Sequence, residues 1–335
     1  MSSQELFWKG KTETINYDRK GKKNQTRFPD FIEICKMSQN QLKNHLVEWG
    51  NKTYQDVDTG DKSMGVCGDG YIYIRGNIPV LLTAHMDTVH KELVKDFYEY
   101  KNNIISSPQG IGGDDRCGIY MIKKIVETTN LRPYILFCED EEIGGVGSNK
   151  FCTTKLADEL KDLRFMIELD RVHANDLVYY DDENTEFHKF CEKVTGYKES
   201  YGSFSDISNL SPEAGVSSVN ISCGYYNAHT TSEYVVMSEM ENSIKATIKL
   251  IEAGVSQNKQ YEYEDNSRYN FASYYTNDYY GHEEPEVYIF WAKDGDDPYG
   301  KEYCFSGTSL EEAVGTLLIS NPELKWSDIT DYCNY

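Results

Sequence analysis

The chain has 335 residues, 39% of them hydrophobic, which suits one large globular domain with an accessory piece and excludes a disordered chain. Its 55 acidic against 34 basic residues give a net charge of −21, which disfavours nucleic acid and anionic membrane as partners because like charges repel. The nine cysteines include no CxxC pair, and several, such as Cys138 and Cys223, lie in apolar runs; they read as reduced, buried thiols of a cytoplasmic protein, with no support for a zinc ribbon.

In chain order, residues 1–27 are polar and basic and read as a poorly ordered lead-in without a signal peptide. No run approaches the roughly 20 apolar residues of a membrane span. Residues 28–50 carry two short helical patterns, the second placing Leu42, His45, Leu46 and Trp49 on one face. Asp69 to Asp87 reads as a hairpin, with strands at Tyr71–Ile74 and Val80–Ala84 about a Gly76-Asn77 turn. Asp115 to Thr129 is helical in period, Tyr134–Cys138 a strand, Asn149–Leu160 a helix, and Phe165–Leu169 and Val216–Ile221 strands. Ser238 and Glu241 form a capping box opening a helix that Gly254 closes. The alternation predicts an α/β fold with a mixed, largely parallel sheet sandwiched by helices. The catalytic domain is expected over 28–255, a polar, Tyr-rich linker over 256–285, and a small accessory α/β region over 286–335 with a strand at Glu286–Trp291 and a second capping box at Ser309.

Five clusters of acidic or imidazole side chains each follow an apolar run. They are His85-Met86-Asp87, Asp114-Asp115-Arg116, Glu139 to Glu142 before Gly144-Gly145, Glu168-Leu169-Asp170, and Asn227-Ala228-His229. Open α/β sheets place their sites at strand ends and in the loops after them. Taken singly, each cluster has a plain structural reading: a hydrogen-bonded strand end, a helix cap, a solvated acidic turn. Taken together and in order, they offer the ligands of a two-metal hydrolytic site, which supplies both a nucleophile at neutral pH and a holder for the developing oxyanion. Side chains at adjacent extended positions point opposite ways, so Glu141 and Glu142 divide their roles, one ligating while its neighbour faces water.

These motifs, over residues 80–232, resemble the co-catalytic dizinc peptidase superfamily, which includes peptidase T, the glutamate carboxypeptidases, the acyl-amino-acid deacylases and the bacterial aminopeptidases. The resemblance implies the zinc-dependent exopeptidase fold and a role for each matched residue. His85 and Asp170 would bind one metal, Glu142 and His229 the other, and Asp114 would bridge them. Asp87 would orient His85, and Glu141 would move the proton from the attacking water to the leaving amine. The cofactors implied are two divalent ions, zinc by default, with cobalt or manganese as alternatives. The substrate implied is a short peptide cleaved by an aminopeptidase or tripeptidase, or else an N-acyl amino acid or a carboxypeptidase substrate; a non-catalytic binding protein is the alternative of another class. One departure stands out: many relatives insert a lid or dimerisation domain between the third and last ligand regions, and the stretch from Asp170 to His229 is too short for one. Outside the matched set, His90 is a weaker candidate facing the cleft, Arg171, Asn175 and Asp176 read as a polar surface loop, and Asp206 reads first as a helix cap.

Overall fold

The computed structural model describes residues 26–54 and 65–265, together with strands at 286–292, 301–307 and 329–334. The basic lead-in up to residue 25 and the capping box at Ser309 lie outside the described residues. The chain divides into a unit ending at Tyr269 and a unit from Asn270 to Tyr335.

Two helices open the first unit. Helix α1 (Pro29–Lys36) has Pro at its first position, where a missing N–H costs nothing. Helix α2 (Gln39–Thr53) is opened by a reciprocal Ser38–Gln41 capping box and buries Leu42, Leu46 and Trp49, the face expected from their spacing. Eight strands then build the main sheet: β1 (Gly65–Gly68), β2 (Tyr71–Ile74), β3 (Ile78–His85), β6 (Pro133–Cys138), β7 (Phe165–Arg171), β8 (Asp176–Val178), β9 (Lys198–Glu199) and β10 (Ser218–Ser222), in the order β1-β2-β6-β3-β7-β10-β8-β9. The four central strands are parallel, and the β6–β2 and β10–β8 pairings that flank them are antiparallel. A second, antiparallel sheet joins β4 (Tyr98–Tyr100), β5 (Ile104–Ser106), β11 (Tyr225–Tyr226) and β12 (Tyr234–Val236).

Helices cover both faces of the main sheet. On one face α1 and α2 pack with α3 (Gly113–Thr128), α5 (Thr185–Thr195) and α7 (Met237–Gln257) against Leu82, Ala84, Ile167 and Leu169. On the other, α4 (Val146–Cys152), a 3-10 turn at Ala157–Asp162 and α6 (Ile207–Ala214) pack against Leu81, Leu136 and Met166. The mixed, largely parallel sheet between helices is the α/β architecture expected from the sequence. The second unit pairs β13 (Glu286–Ala292) antiparallel with both β14 (Lys301–Gly307) and β15 (Ile329–Asn334).

Several local expectations need correction. Tyr71–Ile74 and Ile78–His85 do not form a hairpin, because β6 lies between them, antiparallel to β2 and parallel to β3. An apolar strand such as β3 is stabilised by neighbours on both edges as well as both faces, and β6 and β7 supply them. The helix expected over Asn149–Leu160 is broken into α4 and the 3-10 turn, where the Thr153 and Thr154 hydroxyls donate back to the Lys150 and Phe151 carbonyls. Helix α7 begins at Met237 after Val236, without a side-chain cap, so Ser238 lies inside it. Nor does Gly254 end that helix. It runs on to Gln257 and a left-handed Asn258, and Gly254 is there because the Phe165 ring lies 2.2 Å from where its Cβ would stand. The first part of the supposed linker belongs to the body: Tyr261 is buried in the main core against Phe165, Phe187 and Phe190.

Candidate metal centre

The period-two alternation of a strand places Leu81, Thr83 and His85 on one face of β3, and Met166, Glu168 and Asp170 on the same face of β7. The strands pair in parallel with Leu81 opposite Met166 and Thr83 opposite Glu168, so one further step sets His85 beside Asp170. Their side chains meet with His85 Nε2 3.4 Å from Asp170 Oδ1. On its other side β3 pairs with β6, His85 opposite Cys138, which delivers the following Glu139–Glu142 loop to the same end of the sheet.

Asp114 enters from the start of α3. Gly112 has a left-handed backbone (φ 67°), Gly113 has no room for a side chain against Tyr225 and Val235, and the Asp114–Asp115 peptide is cis. Asp114 then lies between the two imidazoles. His85 Nε2 is 3.0 Å from its Oδ1, and His229 Nε2 is 3.2 Å from its Oδ2. His229 Nε2 is also 3.0 Å from Glu142 Oε2, and Glu141 Oε2 stands 4.0 Å from His85 Nε2. The structure thus brings together all seven residues singled out in the sequence: His85, Asp87, Asp114, Glu141, Glu142, Asp170 and His229.

Asp87 does more than the sequence signalled. Its Oδ1 faces His85 Nδ1 at 3.2 Å, and its two oxygens also accept the Glu141 and Glu142 backbone N–H groups, each at 3.1 Å. One carboxylate therefore orients the histidine and holds the loop carrying both glutamates. Asp115 accepts from the backbone N–H of His85 (3.2 Å) and of Gly118 (2.8 Å), tying the helix start to the strand end, and with His85 and Asp170 it forms a second possible ligand group. Arg116, buried, donates to the Met86 and Met37 carbonyls.

Two carboxylates were underrated in the sequence. Glu168, one step behind Asp170 on the same face, is fully buried, with the Ser205 side chain beside it. Asp206 precedes α6 but its side chain accepts no capping N–H from the helix; it too is fully buried, beside the Ser148 and Cys138 side chains. The helix-cap reading of Asp206 is therefore corrected: its side chain turns inward, and its charge reaches Glu141 and Glu168. Only tertiary packing makes these groups unusual, and no local signal marks them. His90 points at Glu233 (2.8 Å), whereas Arg171 lies against Asp176 (3.7 Å) and Ser200 (3.4 Å), on the opposite strand face from Asp170.

The electrostatics call for positive charge. Burial pushes the Glu141 carboxyl up to about 9, against the pull of His85, with Asp170, Asp206 and Glu142 adding to the rise. Burial and the Asp114 charge push Asp170 up to about 7. Hydrogen bonds to Asp114 and Glu142 push His229 up to about 11. Burial opposes the charge on His85, but Asp170, Asp114 and Asp87 hold it well above the usual histidine range. Asp114, despite burial, is held well below the carboxylate range by His229 and His85. Acceptors crowd together here, an arrangement that favours bound positive charge.

The donor set fits divalent ions. Two donors on one tetrahedral zinc, each at roughly 2.0–2.1 Å, stand about 3.3 Å apart, close to the 3.0–3.4 Å gaps within this cluster. His85 with Asp114 and Glu142 forms one possible ligand group. Glu142 Oε1 is buried without a partner, the orphaned atom an ion would satisfy.

No protein-family model matches this sequence, and no curated protein matches it. Solved structures do. The chain is similar to the aminopeptidase PepT from Bacillus cereus at 13% identity and a TM-score of 0.52, over 68% of this chain and 97% of that one. It is similar to a tripeptidase from Staphylococcus aureus at 14% identity and 0.52, over 68% and 97%. An aminopeptidase from the archaeon Desulfurococcus kamchatkensis aligns at 14% identity and 0.50, over 67% and 95%. At such identities the likeness is one of fold alone, the α/β fold that this chain shares with those aminopeptidases and the tripeptidase.

Proposed function

We propose that this chain is a metal-dependent hydrolase of amide bonds, an exopeptidase of the aminopeptidase or tripeptidase type acting on short peptides. The observation that carries this reading is the pair of imidazole Nε2 atoms, from His85 and His229, facing the two oxygens of a single buried carboxylate, Asp114. His85 and Asp170 would hold one ion, Glu142 and His229 the other, and Asp114 both, zinc being the default for such donors. When bound, the ions would acidify a water and polarise the scissile carbonyl.

The chain's own residues supply the rest. Asp87 would accept a hydrogen bond from His85 Nδ1–H, leaving the Nε2 lone pair of the neutral imidazole directed into the cluster. Glu141, held by its backbone but not committed to either histidine, takes the proton of the attacking water and returns it to the departing amine nitrogen. The acidic surroundings favour a substrate that presents an ammonium group. Arg171, which would have favoured a free carboxylate, is engaged with Asp176 and Ser200, so the aminopeptidase reading stands ahead of the carboxypeptidase and deacylase alternatives.

Two measurements test it. Elemental analysis of protein purified without chelators should give close to two zinc per chain, reduced in His85→Ala. Glu141→Gln should keep its metals and fold while turnover of short peptides falls by about 10²–10⁴-fold. A wild type that takes up no zinc, cobalt or manganese would sink the reading, and undiminished turnover in Glu141→Gln would remove that residue from the mechanism.

A further inference from the structure

Glu233 lies four residues beyond His229, just before β12, and is fully buried. Its side chain reaches across to the loop that carries Asp114. Glu233 Oε2 accepts the Gly112 N–H at 2.8 Å, and Oε1 accepts the Asp114 N–H at 3.0 Å. The His90 ring completes the arrangement, its Nε2 2.8 Å from Glu233 Oε2. His90 in turn packs against Gly110, since a Cβ there would stand 2.2 Å from the ring. A Cβ on Gly113 would stand 3.2 Å from Glu233 Oε1 and 2.8 Å from the Tyr225 Cβ. Glycines at 110 and 113 thus let the His90 and Glu233 side chains lie directly against the backbone. Three segments meet at one carboxylate: the loop after His85, the turn into Asp114, and the loop carrying His229.

We infer that Glu233, oriented by His90, is a positioning residue that fixes the Asp114 backbone relative to His229, so that capture of the second metal ion depends on it. This rests on the two-metal reading of the site. The physical reason is geometric. Asp114 serves both ions only if its two oxygens keep their separate aims, and rotation of its backbone would withdraw one of them. Glu233 blocks that rotation by accepting the Asp114 N–H and the N–H two residues before it. Residues that orient ligands in this way typically change metal affinity by about 10–100-fold when altered.

Glu233→Gln is the informative variant. It preserves volume but sets an NH₂ group against either the Gly112 or the Asp114 N–H, so one accepted bond is lost and a donor faces a donor. Zinc affinities would be measured by chelator competition on the full chain, alongside the visible spectrum of the cobalt-loaded protein. We expect Glu233→Gln to bind one ion as the wild type does and the second about 10–100-fold more weakly, with an altered cobalt spectrum. His90→Leu should weaken the second ion several-fold, and His90→Gln, which keeps a donor near the Nε2 position, should restore it. Should Glu233→Gln fail to fold, the two His90 variants carry the test. A wild type that binds two ions, with both ions and the cobalt spectrum unchanged in the variants, overturns this inference alone. A wild type that binds none overturns the metal reading and this inference with it.

Discussion

At the scale of single residues, the centre is defined by competition between protons and metal for the same atoms. His229 without an ion is pushed up to about 11 by Asp114 and Glu142, from 6.5 in a free side chain. A histidine with a raised value binds more protons folded than unfolded. Its contribution to the stability of the metal-free protein is therefore present in full below pH 6.5 and lost as pH rises through about 11. Ligand binding requires neutral imidazole, so metal uptake must release these protons. Zinc titrations at pH 7 in two buffers of different ionisation enthalpy should give heats that differ by the protons released, and affinity should rise with pH. Equal heats in both buffers would show that the histidines are not being displaced from their protons. The identities of the seven clustered side chains were legible in the sequence because each lies at or soon after an apolar run. Glu168, Asp206 and Glu233 were not, because their significance comes from burial and from partners remote in the chain.

At the scale of elements, the close fit of α3 against the sheet determines where Asp114 sits. A Cβ on Gly118 would lie 1.8 Å from the Leu169 carbonyl oxygen and 2.6 Å from both Asp115 oxygens. The helix therefore lies directly on β7, the strand that carries Asp170. Gly118→Ala should force them apart, costing about 1–3 kcal/mol or somewhat more as an overpacked contact, read as a lowered urea midpoint. Because the shift also moves Asp114 away from Asp170, metal affinity should fall in the same variant. An unchanged midpoint would show that helix and strand separate freely. The helical and strand periods here were readable locally, yet sheet order was not. Tyr71–Ile74 and Ile78–His85 are neighbours in sequence and both apolar, which mimics a hairpin, and only the insertion of β6 between them reveals their true partners. The capping box read at Ser238 is overridden by a helix that starts earlier.

At the scale of the whole molecule, the centre joins segments spread from residue 85 to residue 229, so an ion bound there ties together much of the first unit. Binding to the folded state alone stabilises it by mass action, by about 4 kcal/mol when free metal is about a thousand times its dissociation constant. Chelation should therefore lower the melting temperature of the zinc-loaded protein by several degrees, and added zinc should restore it. A melting curve indifferent to both chelator and zinc would contradict a site that bridges these elements. Among the described residues no helix is long and apolar enough to cross a membrane.

The sequence by itself determined the chemical inventory: which strands end in histidine or carboxylate, in what order, and that strands alternate with helices between them. These are local properties, set by periods of two and 3.6 residues and by side-chain type. Only the tertiary structure decided the sheet order, the packing of Tyr261 into the core, the inward turn of Asp206, and the grip of Glu233 on the Asp114 loop. Those depend on which distant segments exclude water from one another, and burial changes what a carboxylate does without changing the residues beside it in the chain.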